Sequence, residues 1–247
     1  MGENGSKVAL ITGGAKGIGR AIGLDLAASG WRVAFCYRSS EREAKDTATL
    51  LRQSGGQVLA ERCDVSIPED AMSFAKKVEI EFGAVDCLIN GAGPYHRVNI
   101  WEETADGWRE MFANNLDSVF YMTSAIAPGM KARKWGRIIN FSMTNADQMI
   151  AQPELTAHYI AKAGVLILTR TFAKTLAPYG VTANAISPGF INSGSASNSE
   201  LEGMVKKIPA GYIGEVIDVV SAVRFLLSDE ARYVNGTNIH LSGGWGI

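Results

Sequence analysis

The chain has 247 residues, of which 47% are hydrophobic and 20% are charged, and its formal net charge at pH 7 is −1. This charge balance argues against a nucleic-acid-binding surface, and no apolar run is long enough to span a bilayer. The three cysteines, Cys36, Cys63 and Cys87, are too few and too scattered for a disulfide framework or a metal site. We therefore expect a cytoplasmic protein that binds no metal, no nucleic acid and no membrane.

Short β-branched runs alternate with longer helical patterns along the first part of the chain, which is typical of a βαβ architecture. Strands are predicted over 7–12, 31–36, 57–62, 85–90 and 137–141. Helices are predicted over 18–29 and 41–53, from about residue 68, and over 108–131. Pro68 suits the first turn of the third helix because its fixed backbone angle is helical and its missing N–H is not needed there.

The same alternation continues to the end of the chain. A helix is predicted over 156–177, a strand over 181–186, a helix over 216–227 and a closing strand over 238–241. The polar segment 191–208 is predicted to be a mobile lid. No linker or repeat interrupts the pattern, so we expect one domain over 1–247. We expect it to be a doubly wound, Rossmann-type parallel α/β sheet with helices on both faces and a substrate lid around 190–212.

A glycine-rich turn lies between the first predicted strand and the first predicted helix, with the sequence Gly13-Gly-Ala-Lys-Gly-Ile-Gly19. A turn without bulky side chains lets backbone N–H groups and the positive end of a helix approach a pyrophosphate. The order strand, glycine turn, helix therefore predicts a dinucleotide site. Its expected contacts are Gly13, Lys16, Gly17, Ile18 and Gly19.

The glycine spacing, Gly-x-x-x-Gly-x-Gly, resembles that of the short-chain dehydrogenase/reductase family. Further resemblances are Asp64-Val65, Asn90-Gly91-Ala92-Gly93, Pro188-Gly189 and the C-terminal stretch 233–244. The overall pattern is similar to β-ketoacyl-ACP reductases, with pteridine reductases as a second comparison. The resemblance implies a homotetramer or homodimer whose 108–131 and 156–177 helices pair between subunits. It also implies cofactor contacts at Asp64, Val65, Asn90, Gly91, Ala92, Lys162, Pro188, Gly189, Ile191 and Ser193.

The residues after the second strand predict which dinucleotide binds. NAD-preferring sites place a carboxylate at the end of this strand, where it binds the ribose 2′-OH. Here the position reads Tyr37-Arg38-Ser39, and no acid occurs before Glu41. Arg38 offers a planar fork suited to phosphate, and Ser39 and Lys16 add a hydroxyl and a second cation. These residues favour NADP(H).

The resemblance also implies a catalytic Asn, Ser, Tyr and Lys. Asn115 matches the Asn position and Lys162 the Lys position, but His158, not a tyrosine, lies four residues before Lys162. Tyr159 lies only three residues before it, and neighbouring helical positions differ by about 100° of rotation. The Tyr-x-x-x-Lys signature is therefore absent, and Tyr159 could serve only if the helix were locally over-wound.

The serine position is altered too. Met143 occupies it, and Ser142 lies one residue early, so that in a strand its side chain would point to the opposite face. The stretch 143–158 looks longer than is usual in the family, which leaves Thr144, Asn145 or Asp147 to reach inward. An Asp in this neighbourhood occurs in pteridine reductases.

Three interpretations of the altered site stay open at this point: His158 donates the proton, Tyr159 is recruited by distortion, or efficient reduction has been lost. We predict an enzyme that transfers hydride from NADPH to a small carbonyl, such as a 3-oxoacyl thioester or a related substrate, through an atypical acid–base site. Its candidate catalytic residues are Asn115, Ser142, His158, Tyr159 and Lys162. The alternative is a catalytically weak, NADP(H)-binding regulatory or scaffold protein.

Overall fold

The computed structural model describes residues 6–194 and 198–247. The strands are β1 (Val8–Thr12), β2 (Arg32–Tyr37), β3 (Val58–Arg62), β4 (Cys87–Asn90), β5 (Gly136–Phe141), β6 (Val181–Pro188), β7 (Ile191–Asn192), β8 (Gly214–Glu215) and β9 (Asn238–Leu241). The α-helices are α1 (Gly17–Ala28), α2 (Glu41–Gln53), α3 (Pro68–Phe82), α4 (Ala105–Phe112), α5 (Ser118–Arg133), α6 (Thr156–Leu176), α7 (Asn198–Val205) and α8 (Val216–Leu227). Their bounds lie close to the predicted ones in most of the chain.

Seven strands form a parallel sheet in the order β3-β2-β1-β4-β5-β6-β9. From β1 the chain builds outward through β2 and β3, and then returns to place β4 on the other side of β1. Thr12 and Asn90 are register partners at the carboxyl ends of β1 and β4. The direction of winding reverses at this point, which is where open α/β sheets bind ligands. The predicted doubly wound parallel sheet is confirmed.

Both faces of the sheet are covered by helices. In β1 the alternate residues Val8 and Leu10 pack in one apolar cluster with α3 and α5. Ala9 and Ile11 pack in a second cluster, with α1, α2 and α8. Successive strand residues point to opposite faces, so a strand buried on both sides must be apolar throughout, as β1 is.

The predicted helix 108–131 is a more complex element. It begins earlier, at Ala105, and its α4 and α5 segments are separated by a π-helical segment over Ala113–Asp117. A π-helical segment widens one turn by i→i+5 hydrogen bonding and is found frequently at functional sites. Here it carries Asn114 and Asn115, both of them buried.

The segment predicted to be a mobile lid contains regular structure within the part that is described. Its β7 pairs in parallel with β8, and α7 follows over Asn198–Val205. Residues 195–197 of the predicted lid lie outside the described residues. That this segment closes over a substrate as a lid stays a prediction.

Over residues 6–194 and 198–247, no helix has the length and apolar character needed to cross a membrane. In the same ranges, no group of three or more His, Cys, Asp or Glu side chains could hold a metal ion. Cys36, Cys63 and Cys87 are free and buried.

Candidate active site

The glycine turn forms a tight cradle at the carboxyl end of β1. The N–H groups of Gly13 and Gly14 both donate to the Cys36 carbonyl, at 3.1 and 3.2 Å. A Cβ on Gly19 would come 2.5 Å from the Gly13 carbonyl oxygen, so no larger residue fits without moving the backbone. The cradle is therefore built for close approach by backbone atoms.

The N-terminus of α1 opens onto this cradle. Its cap residue, Lys16, makes no side-chain cap hydrogen bond, and the first turn contains no acidic residue. The first N–H groups of a helix lack intrahelical partners and carry the positive end of its dipole. This turn, which includes Gly17, Ile18 and Gly19, therefore suits a phosphate. A Cβ on Gly17 would lie 3.5 Å from the Cβ of Ser193, so the segment after Pro188-Gly189 flanks the same opening.

Thr12 joins the first and second halves of the site. Its Oγ1 accepts hydrogen bonds from the N–H groups of Gly91 (3.1 Å) and Ala92 (3.0 Å). The side chain of Asn90 points below this junction, where its Nδ2 donates to Oδ1 of buried Asn140 at 2.8 Å. Gly91 and Ala92 therefore line the cleft, while the Asn90 side chain supports the end of β4 from beneath.

Arg38, Ser39, Asp64 and Val65 line the same cleft, together with Lys16. The Arg38 side chain is 48% exposed and lies 3.9 Å from an oxygen of Asp64. The other oxygen of Asp64 accepts hydrogen bonds from the backbone N–H and the hydroxyl of Ser66. The predicted contacts for the adenosine part of a dinucleotide are thus gathered at the carboxyl ends of β2 and β3.

Lys162 lies on α6, at the predicted nicotinamide end of the site. It is 8% exposed, and its Nζ donates to the Phe141 carbonyl at 3.0 Å. Burial disfavours the charged ammonium and lowers the pKa of Lys162 to about 8. Lys162 is therefore a group whose proton can move near physiological pH.

His158 lies one helical turn before Lys162 and is 6% exposed. Burial and, secondly, the positive charge of Lys162 lower its pKa to about 4, against the opposing effect of the Pro94 carbonyl. The imidazole is therefore neutral at pH 7. Its Nδ1 is buried and has no hydrogen-bond partner among the described residues. The ring of Tyr95 packs against the His158 ring in a T-shaped contact, with centroids 5.4 Å apart.

Asn115 reaches the same place from the π-helical segment. Its Nδ2 donates to the carbonyls of Pro94 (3.2 Å) and Met111 (3.1 Å). Its Oδ1 is buried and unpartnered within the described part of the chain. A Cβ on Gly93 would clash with this oxygen and lie 3.3 Å from Nζ of Lys162. Asn115 and Lys162 therefore converge beside the backbone of Gly93.

Two of the predicted catalytic side chains have their hydroxyls occupied by backbone groups. Ser142, directly after β5, donates to the Lys162 carbonyl at 2.8 Å. The Tyr159 hydroxyl donates to the Asn145 carbonyl at 2.7 Å and accepts from the N–H of Ile150 at 3.1 Å. Because α6 is α-helical throughout Thr156–Leu176, no over-winding turns Tyr159 toward the His158 position. Both hydroxyls are thus held by backbone groups in this structure, and their catalytic roles stay predictions.

Of the three other candidates after β5, Thr144 and Asp147 have side-chain partners, whereas Oδ1 of Asn145 is buried without one among the described residues. The Thr144 hydroxyl donates to the Ser187 carbonyl at 3.2 Å. Asp147 lies 2.9 Å from Nε2 of His240, on β9, and Asn145 is buried with a φ of +64°. Among the described residues, none of the hydrogen bonds of these three side chains is with Lys162 or His158.

The segment after β4 lies beside the site, where Pro94 lines the cleft, and its contacts were not predicted from the sequence. We call residues 94–101 the strap. The strap N–H groups of Val98 and Ile100 donate to the carbonyls of Glu154 (3.0 Å) and Pro153 (2.9 Å), in the long segment before α6. The strap carries Tyr95 to His158. Thr12, Tyr95 and Asn114 were likewise missed, although the threonine was visible in the Thr-Gly of the glycine motif.

Comparisons with known proteins agree with this fold. A family model described as Enoyl-(Acyl carrier protein) reductase matches residues 13–246. The chain is 34% identical over 242 residues to a 3-oxoacyl-[acyl-carrier-protein] reductase of Staphylococcus epidermidis, covering 97% of this chain and 98% of that protein. It is also 34% identical over 247 residues to the enzyme of the same name from Salmonella typhimurium, covering 96% of each.

Solved structures with this fold include a short-chain dehydrogenase/reductase of Serratia marcescens, with a TM-score of 0.91, 28% identity and coverage of 98% of this chain and 99% of that chain. A blue fluorescent protein from a metagenomic library, in complex with NADPH, has a TM-score of 0.90, 30% identity and the same coverages. The fold and cleft define an oxidoreductase class that binds a nicotinamide cofactor. The chain belongs to the short-chain dehydrogenase/reductase family.

Proposed function

We propose that this protein is an NADP(H)-dependent reductase of a small carbonyl compound with an altered acid–base site. The observation that carries the proposal is the convergence of Asn115, Lys162 and His158 at one end of the glycine-lined cleft. A protein that only bound a nucleotide would not need a buried lysine with a mobile proton beside an unpartnered amide oxygen. The similarity to 3-oxoacyl-[acyl-carrier-protein] reductases favours a 3-oxoacyl thioester or a related carbonyl, and the NADPH complex of a structural neighbour favours NADP(H).

When bound, NADPH supplies the hydride that reduces the carbonyl carbon. The carbonyl oxygen then needs a proton, and Lys162 is the nearby group that carries one at neutral pH. Neutral His158 has a single N–H, which can donate to that oxygen when it turns from the Pro94 carbonyl to the substrate, but it has no imidazolium proton to give. The Asn115 Oδ1 can accept a hydrogen bond from the ammonium or from a water beside it. In this proposal Lys162 donates the proton to the substrate carbonyl oxygen, and His158 orients that oxygen through a hydrogen bond.

The function is tested by following NADPH oxidation with a panel of carbonyl compounds that includes an acetoacetyl thioester and a dihydropteridine. We expect turnover by the wild-type protein. In the His158→Phe variant we expect kcat to fall about 10- to 100-fold, because one oriented hydrogen bond to the charge developing on the reacting oxygen is lost. NADPH affinity should stay unchanged. Full turnover in the variant would show that His158 does not take part in the reduction.

The same variant has a readout that is independent of activity. The pKa of His158 is lower in the folded chain (about 4) than the ordinary value of 6.5, so the unfolded chain binds more protons between these pH values. Stability that is present above pH 6.5 is therefore lost as pH falls toward 4. The free energy of unfolding should fall by about 2 kcal/mol between pH 7 and 5 through this group. In urea unfolding, His158→Phe should lose correspondingly less stability than the wild type over the same pH range.

A second candidate function is a catalytically weak NADP(H)-binding regulatory or scaffold protein. Met143 in the serine position, and the engagement of the Ser142 and Tyr159 hydroxyls by backbone groups, favour it. Tight NADPH binding without turnover of any compound in the panel, by wild type and variants alike, would favour this second function over the first.

The preference for NADP(H) is proposed to depend on Arg38, with Lys16 and Ser39 beside it. Replacing Arg38 with Asp should weaken NADPH binding at least about tenfold, because a cation facing the 2′-phosphate becomes an anion. NADH has no such phosphate and should lose little affinity. Titration of NADPH and NADH fluorescence measures both effects. Equal weakening of the two would contradict the role of Arg38.

We also propose that the chain forms one domain, with the region around 190–212 as a substrate lid, and that the protein is cytoplasmic. The proposed homotetramer, or homodimer, would bury an apolar groove between α4, α6 and the segment before α6. This groove is lined by Phe112, Leu116, Met149, Ile150, Ile160 and Ile167.

Replacing Ile167, which is 64% exposed in this groove, with Glu should dissociate the oligomer, because burying a carboxylate in an apolar interface is costly. Ile80→Glu is the matched control, since Ile80 is 76% exposed on α3, away from the groove. Sedimentation velocity distinguishes the two variants. If Ile167→Glu sediments like the wild type, this surface is not the interface.

A further inference from the structure

The amide of Asn114, in the π-helical segment, points into the cleft at the Arg38 end. Asn114 is 8% exposed. Its Nδ2 donates to the Glu110 carbonyl at 2.9 Å, which fixes the orientation of the amide. Its Oδ1 therefore faces Arg38 and accepts a hydrogen bond from Nη1 at 3.0 Å. The Asn114 carbonyl in turn accepts from the Ser118 hydroxyl at 2.8 Å, which holds the backbone below it.

No other contact of the Arg38 guanidinium among the described residues has hydrogen-bond length. The nearest carboxylate oxygens, on Asp64 and Glu110, lie 3.9 and 3.7 Å away, beyond the usual range. Ion pairs of half-exposed side chains at such distances contribute little. The Asn114 amide is thus the group that orients this guanidinium.

A neutral acceptor has a specific consequence at this position. Arg38 lies between two carboxylates that would neutralise it if it closed onto either one. The amide holds one guanidinium nitrogen without cancelling its charge, and the other N–H groups stay available for a planar, two-bond contact with a phosphate. An aspartate at this position would hold Arg38 more tightly but would also repel the phosphate.

We infer that Asn114 is a positioning residue that orients Arg38 toward a phosphomonoester on the cofactor ribose and thereby sets the preference for NADPH over NADH. The inference rests on the proposed NADP(H) preference and deepens it. The inference assigns different roles to two adjacent residues of the π-helical segment. Asn114 orients the group at the phosphate end of the cleft, while Asn115 faces Gly93 and Lys162 at the other end.

The test compares the dissociation constants of NADPH and NADH for the full chain and for three variants. Asn114→Leu keeps the approximate shape but removes the acceptor, and we expect it to lower the NADPH-over-NADH preference about five- to tenfold. Asn114→Asp should lower the preference as well, through repulsion of the phosphate. Glu110→Gln should raise the NADPH-over-NADH preference, because the substitution removes a negative charge that competes with the phosphate for Arg38. NADH affinity in each variant reports whether the cleft is still folded.

The outcomes separate this inference from the proposed function. A preference that falls in Arg38→Asp but is unchanged in Asn114→Leu would overturn the role of Asn114 and leave that of Arg38 standing. Equal loss of NADPH and NADH affinity in Asn114→Leu would also overturn it, since a purely structural role predicts that result. A wild-type protein that binds both dinucleotides equally would overturn the inference together with the NADP(H) preference.

Discussion

Replacing Lys162 with Met should lower the rate of carbonyl reduction by at least about a hundredfold, the usual contribution of a positioned acid or base. Methionine keeps the length and apolar stem of lysine but removes the ammonium group. The loss should appear in single-turnover reduction at saturating NADPH, where binding no longer limits the rate. The variant should fold, because methionine fills the same buried space and, among the described residues, only the hydrogen bond from Nζ to the Phe141 carbonyl is lost.

The pH dependence of the wild-type protein gives the matching signature. With a pKa of about 8 for Lys162, the protonated form that donates to the substrate is present below pH 8 and is lost above it. Reduction at saturating NADPH should therefore slow as pH rises through about 8, while NADPH affinity stays level. A rate that holds constant to pH 10, or a Lys162→Met variant with normal turnover, would show that the proton comes from elsewhere.

The second large effect is expected at the glycine cradle. Gly17 has a φ of +56°, and a side chain there would point toward Ser193, across the opening where the phosphates are expected. Gly17→Val should abolish binding of both NADPH and NADH, because its methyl groups would occupy the space that backbone N–H groups need to reach a phosphate. Isothermal titration with each dinucleotide measures this loss.

A matched control separates blocking from backbone strain. Gly30, beyond the other end of α1, has a φ of +82°, and a Cβ there would have no neighbour within 4 Å. Valine in the left-handed region costs about 1–2 kcal/mol at either position, so both variants should lose similar stability. Only Gly17→Val should lose the dinucleotides. If Gly30→Val lost them equally, strain rather than blocking would explain the result.

Local sequence signals were sufficient to predict the central sheet and the glycine cradle. Apolar strands such as β1 are short and end in turn residues, and glycines with a fixed spacing mark the turn before α1. These features depend on neighbours in sequence, so they can be read from one chain. The bounds of α8 and β9 agree with the predicted 216–227 and 238–241.

The π-helical segment could not be predicted from local sequence patterns. An α-helix and a π-helix place the same apolar residues on nearly the same face over one turn, so the sequence pattern does not distinguish them. The pairing of Arg38 with Asn114 joins residues 76 apart along the chain. Only the packing of α4 and the π-helical segment against α6 brings the two together.

The altered catalytic site could be predicted only in part. The sequence revealed that the expected tyrosine and serine were missing, and which residues stand in their places. It could not reveal where the remaining hydroxyls point. The Tyr159 hydroxyl is bound by Asn145 and Ile150 because the chain between β5 and α6 folds back over it, and the path of such a segment is not encoded by periodicity.

The pairing between the strap and the segment before α6 also constrains how the mouth of the site can open. Two backbone hydrogen bonds and the Asn99–Glu154 side-chain contact, at 2.7 Å, tie these loops together. Lifting the strap alone would leave the N–H groups of Val98 and Ile100 without partners, so the two loops are expected to swing as a single flap. Insertions or deletions between 143 and 155 would then also shift the strap and the position of Tyr95. A change of length in one loop could therefore alter the width of the site entrance that the other loop borders.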